Sequence, residues 1–155
     1  MQRLFLILTL ISAVLLSGCK STSYKKTDNG IIVNNIRLQP INDRVIKVSA
    51  IPEGEFSSEE SLITDPELTF SGDFMVSEDS VFVTLSTKEI DAKVNKATGE
   101  VSFFDKSGNI ILKENNGGGK SFTPIEVDGT HGYTLHQVFE SPDNEAFYGL
   151  GQHQS

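Results

Sequence analysis

The sequence contains no tryptophan, a single cysteine and only three tyrosines. One cysteine excludes an internal disulfide framework, whatever compartment the chain occupies. Without tryptophan, the side chain that most often builds a stacking platform for sugar rings is missing. Most of the ten phenylalanines fall in strand-like runs, where core packing accounts for them. The three histidines, at positions 131, 136 and 153, are too dispersed to form a metal pair at helical or strand spacing. No stretch beyond residue 18 carries helical periodicity, so a strand-to-helix nucleophile elbow has nowhere to form. Long apolar runs are absent except over residues 4–16, broken only by Thr9 and Ser12. That run falls short of the roughly 20 residues needed to span a bilayer.

What is present at the start has the layout of an export signal. Arg3 precedes the short apolar run, and small residues precede a cut, as in secretory signal peptides. Leu16-Ser17-Gly18-Cys19 resembles a bacterial lipobox, with the only cysteine of the chain at the position that takes the lipid. Residues 1–18 are therefore expected to be a lipoprotein signal peptide and Cys19 the lipidation site. The alternative, a buried thiol, has no core to enter at the junction of an apolar run and a polar stretch. Several acyl chains would hold the mature protein on a membrane. Residues 19–29, polar and aperiodic, read as a tether. Loss of the signal peptide removes Arg3 alone among the charged residues, leaving 12 basic against 21 acidic. Such a balance argues against nucleic acid or an anionic membrane surface as partner. Lys20 and the lack of an early acidic cluster point to an outer-membrane lipoprotein facing the periplasm.

From residue 30 the pattern is strand after strand. Ile32, Ile36 and Leu38 share one parity, as do Ile46, Val48 and Ala50 in the next run, with a turn expected over residues 40–43. Residues 51–70 read as a loop with at most a short edge strand. Val83 and Leu85, with Val81, alternate against Phe82 and Thr84, and Ile90, Ala92 and Val94 against Asp91 and Lys93, giving a hairpin through Ser86-Thr87-Lys88. Turns at 96–99 and 105–109 then frame strands around residues 101–104 and 110–112, and further strands follow at 122–125 and 133–140. After a turn over 141–145, residues 146–150 form the last strand. Short strands with Gly and Asn turns describe an all-β, largely antiparallel sandwich over residues 30–155.

Motifs that suggest chemistry each have a plainer explanation. Glu53, Glu55, Glu59 and Glu60 make an acidic loop without the ligand spacing or the turn glycine of a calcium site. Asn115-Asn116-Gly117-Gly118-Gly119-Lys120 lacks the glycine spacing and the following helix of a phosphate loop. No carboxylate lies in a local context that would raise its pKa. No metal or cofactor is expected.

The closing run Phe139-Glu140-Ser141-Pro142-Asp143-Asn144-Glu145-Ala146-Phe147-Tyr148-Gly149-Leu150-Gly151-Gln152-His153-Gln154 resembles the end of the N-terminal domain of glycoside hydrolase family 31, the α-glucosidases and α-xylosidases. Residues 37–49 look like the family's early strands and 97–103 like its middle hairpin, so the resemblance covers residues 30–154. The lipobox and the Gly-Gly-Gly-Lys-Ser-Phe-Thr-Pro run are in keeping with Bacteroidetes-type members. The resemblance implies a galactose-mutarotase-like β-sandwich packed on a (β/α)₈ barrel. The parent would be a retaining enzyme with one aspartate as nucleophile and a second as acid/base. Both belong to barrel motifs expected beyond residue 155, so the chain is read as a fragment, and no catalytic residue is carried over. Gln152 stands where the family most often has Glu, and Gln152-His153-Gln154 looks like a subgroup that includes α-xylosidases. Tyr148, Gln152, His153 and Gln154 are the candidates for lying near an α-linked oligosaccharide derived from xyloglucan or starch. The implied role is a non-catalytic domain that buttresses the barrel. A stand-alone glycan-binding lipoprotein is the alternative; a mutarotase would need its histidine gathered with a carboxylate, which the dispersal of the histidines disfavours.

Overall fold

The computed structural model describes residues 22–57, 70 and 72–146. Eleven strands run in chain order: β1 (Lys25–Thr27), β2 (Gly30–Val33), β3 (Ile36–Asn42), β4 (Val45–Ala50), β5 (Met75–Glu78), β6 (Phe82–Ser86), β7 (Ile90–Asn95), β8 (Val101–Asp105), β9 (Ile110–Lys113), β10 (Lys120–Val127) and β11 (Thr130–Gln137). They form three antiparallel sheets with neighbours in sequence order: β1-β2-β3-β4, β5-β6-β7-β8-β9, and the hairpin β10-β11. The all-β reading holds, and every observed connection between paired strands is a hairpin.

The core lies between the two larger sheets. Ile31, Val33, Ile36 and Leu38 of the first sheet meet Val83, Leu85, Ala92, Val94 and Val101 of the second, all at 0–1% exposure. Period-two alternation puts Val83 and Leu85 of β6 on one face and Ala92 and Val94 of β7 beside them as register partners, so four inward side chains come from a single hairpin. Val81 lies ahead of β6, outside this alternating set, and is exposed.

In the first sheet the expected parity is corrected. Asn34 and Asn35 are a two-residue turn, with Asn34 at φ +52°, and not the middle of a strand. Such a hairpin places Val33 opposite Ile36 and Ile31 opposite Leu38, so Ile31 and Val33 are buried with Ile36 and Leu38 while Ile32 faces outward beside Arg37. Asparagine tolerates the left-handed backbone such a turn requires. Pro40 likewise lies inside β3, and the turn is Asp43-Arg44. A proline fits there because β3 has run past the end of β2 and its register with β4 shifts between Pro40 and Asn42.

Two strands arise where none was expected. β1 takes Lys25–Thr27 out of the polar stretch and pairs it with β2, leaving any tether to end before Lys25. β5, reading Met-Val-Ser-Glu, is an edge strand whose only half-buried residue is Val76. Gly30, between β1 and β3, is needed for close approach, since a Cβ there would overlap the Leu38 carbonyl oxygen.

Polar side chains pin the two sheets together at their turns. Asn34 Nδ2 donates to the Lys96 carbonyl at 2.8 Å, and Thr87 Oγ1 donates to the Asp43 carbonyl at 2.6 Å. Ser23 N–H reaches the Glu78 carboxylate at 3.2 Å, tying the entering chain to β5.

Candidate functional site

Between β4, β8–β9 and the hairpin β10–β11 lies an open cleft of about 520 Å³. Ile46, Val48 and Ala50 of β4, Phe103 and Leu112 line one side, and Phe122, Leu135 and Phe139 the other. Register selects which hairpin side chains enter: Lys120 opposes Gln137 and Phe122 opposes Leu135, so these four project from one face. Tyr133 continues that face and meets Phe122 edge-on, with ring centres 6.4 Å apart. Its hydroxyl donates to Glu53 at 2.9 Å, and that carboxylate pushes the Tyr133 phenol above its usual range. Glu53, from the acidic loop, therefore acts as a strut for the hairpin.

The polar part of the cleft is built on Glu114, which follows β9 and is 3% exposed. Its carboxylate accepts the Val101 N–H at 3.0 Å and the Lys120 ammonium on both oxygens. Beside it, the buried Glu100 accepts the Gly117 N–H at 3.2 Å. Lys113 lies 3.9 Å from Glu100 and donates to Glu140 at 2.9 Å and to Asn116 at 2.8 Å. The Glu140 bond holds the Lys113 ammonium above the ordinary lysine range. The glycine loop does present a backbone N–H to an anion, but the anion is the chain's own Glu100. At Gly119 a Cβ would overlap the Val138 carbonyl oxygen, so this glycine lets the base of the hairpin close against the chain leaving β11.

These two carboxylates are committed to internal donors, which suits them to positioning the hairpin and not to proton transfer to a substrate. Among the described residues no group of three or more His, Cys, Asp or Glu could hold a metal ion. His131 is at the exposed hairpin tip, 3.9 Å from Glu126, and His136 is on β11, so the structure does not bring them together. Cys19, Glu59, Glu60, Tyr148, Gln152, His153 and Gln154 lie outside the described residues. The Glu114–Lys120 pair was not anticipated; its one sequence signal is an acid directly after an apolar strand and a lysine opening the next, across a glycine turn.

Four carboxylates are held below their ordinary values of 3.8 for aspartate and 4.5 for glutamate. Bonds from Ser23 and Lys96 lower Glu78, the Phe82 and Val81 amides lower Asp79, and the Asn109 side chain and amide lower Asp105. Burial raises Asp91, but its bonds from Lys106 and Ser86 outweigh that and leave it lowered. A folded-state pKa below the unfolded one stabilises above the unfolded value and ceases to do so as pH falls through the folded value. Urea midpoints of the mature chain should therefore be flat from pH 7 to about pH 5 and fall below about pH 4.

The family model for the glycosyl hydrolase 31 N-terminal galactose mutarotase-like domain matches residues 35–155. The chain belongs to this family. Its sandwich is also similar to part of two solved glycosyl hydrolase 31 enzymes. An α-xylosidase from Xanthomonas citri matches with a TM-score of 0.69 and 36% identity, over 84% of this chain and 14% of that one. An α-xylosidase from a soil metagenome, solved with xylose, matches with a TM-score of 0.62 and 22% identity, over 86% and 23%. The second is a likeness in fold. The chain thus spans 14% and 23% of the length of these two enzymes. Against this family, the Asn34-Asn35 hairpin and the Glu114–Lys120 pair are structural parts of a galactose mutarotase-like domain.

Proposed function

We propose that this chain is the non-catalytic N-terminal sandwich of a retaining α-glycosidase, with α-xylosidase favoured over α-glucosidase. Its partner would be a (β/α)₈ barrel of the same parent protein, and the substrate an α-linked oligosaccharide reached through that parent. The observation that carries this reading is the match to the family's N-terminal domain together with 36% identity to a far longer α-xylosidase, of which this chain spans 14%. The apolar side chains left exposed on β9 to β11 and just beyond, including Ile110, Ile111, Leu135 and Phe139, support it, because such a surface calls for a covering partner. The internally bonded state of Glu100 and Glu114 supports the absence of acid/base chemistry. Cys19 would carry the lipid and anchor the protein to the outer membrane, facing the periplasm.

Purified residues 20–155 should release no xylose or glucose from α-linked xylosyl or glucosyl substrates, measured by coupled sugar assay over hours. Turnover at about 1 s⁻¹ or faster would overturn the non-catalytic reading. Calorimetry of the same protein against xyloglucan and malto-oligosaccharides separates the alternative of a glycan-binding lipoprotein. Saturable micromolar binding would favour that module, and no heat of binding favours the buttress.

A further inference from the structure

In the glycine loop ahead of β10, Asn116 is followed directly by Gly117, and both are exposed. An asparagine in that setting can react with its own backbone, because a glycine puts no side chain in the way of the next nitrogen. The Gly117 nitrogen bonds to Asn116 Cγ while the Cγ–Nδ2 bond breaks, and the Gly117 amide proton leaves with Nδ2 as ammonia. Water then opens the resulting succinimide at either ring carbonyl, leaving aspartate or isoaspartate at position 116.

The fold opposes the ring closure. Gly118 N–H donates to the Asn115 carbonyl at 3.1 Å with Gly117 at φ +89°, which makes residues 115–118 a type II turn. Such a turn sets ψ of its second residue, here Asn116, at about +120°. That value directs the Gly117 nitrogen away from the Asn116 side chain, whereas the five-membered ring needs the two eclipsed. Rotation toward the ring must also break the bond from the Gly117 N–H to the buried Glu100 carboxylate, 3.2 Å long. Lys113 Nζ meanwhile fixes the side-chain amide, donating to Asn116 Oδ1 at 2.8 Å while it donates to Glu140 at 2.9 Å.

We propose that Asn116 is a deamidation site gated by Glu100, which converts only when the 115–118 turn opens. Isoaspartate adds one methylene to the backbone, so the turn can no longer bring the Gly117 N–H to Glu100. An opening at the base of the β10–β11 hairpin thereby becomes permanent. The inference rests on this loop alone and is independent of the family reading.

The test follows conversion at position 116 by peptide mapping of the mature chain at neutral pH, folded and in urea. Asn29, also followed by glycine, is the internal reference in urea, where the two asparagines should convert at rates within about twofold of each other. In the folded chain Asn116 should convert at least about 10-fold more slowly than in urea, and hydrogen exchange at the Gly117 amide should be slowed by about the same factor, since both need the same opening. Glu100→Ala should raise the folded-state rate about 10-fold, and Glu100→Gln, which keeps an acceptor oxygen, should stay near the parent rate. Equal conversion of Asn116 in the folded and unfolded chain overturns the proposal, as does slow conversion beside an unprotected Gly117 amide. A folded Glu100→Ala protein that converts at the parent rate overturns it too. Should that variant fail to fold, conversion and exchange in the unsubstituted chain decide the matter.

Discussion

Replacing Glu114 with alanine is expected to lower the stability of the mature chain by about 3 kcal/mol, read as a shift in the urea midpoint at unchanged slope. The carboxylate is 4% exposed and its Lys120 partner 12%. Removing it leaves an ammonium without a counter-ion and the Val101 N–H without an acceptor, and either loss is costly for groups this little exposed. A pairwise replacement discriminates between two origins of the effect. Glu114→Leu together with Lys120→Met removes both charges and refills the volume, so most of the lost stability should return. If the double variant is as unstable as Glu114→Ala, the pair acts through its hydrogen bond to Val101 and not through the unpaired charge.

Leu85→Ala is expected to cost about 2–5 kcal/mol, enough to unfold a large share of a domain whose total stability is typically about 5–15 kcal/mol. Leu85 is fully buried on β6, opposite Ala92, in the layer where both large sheets meet. Ala92 is small, so the neighbouring strand offers little bulk to close the cavity. Met75→Ala, at a side chain 73% exposed on the edge strand β5, should change stability by less than about 0.5 kcal/mol. Equal losses at the two positions would mean that the cluster around Leu85 is not the core.

The hairpin β6–β7 was legible residue by residue, because a strand with one wet face and one buried face writes its geometry as alternation. Val83, Leu85, Ala92 and Val94 are the inward set that this alternation picks out. The same rule misplaced Ile32, since a two-residue turn shifts phase by an amount that hydrophobicity does not record. Only the backbone preference of Asn34 marks it. β1 and β5 left no trace of their own: three and four residues long and mostly exposed, they are strands because β2 and β6 offer them an edge. In the sequence Glu53 belongs to an acidic loop without calcium-site spacing and Lys120 to a glycine run without phosphate-loop spacing. Their partners, Tyr133 and Glu114, show both to be struts.

By itself the sequence determined that the chain is all-β, that its core is paired from alternating strands, and that its closing residues resemble glycoside hydrolase family 31. Those properties are local, resting on side-chain period and on motifs contiguous in the chain. Tertiary structure alone decided the sheet pairing at the edges, the Glu114–Lys120 pair and the cleft beneath the hairpin. Each of these depends on which surfaces meet after the turns have set the register, and burial then fixes whether a carboxylate faces water or a lysine.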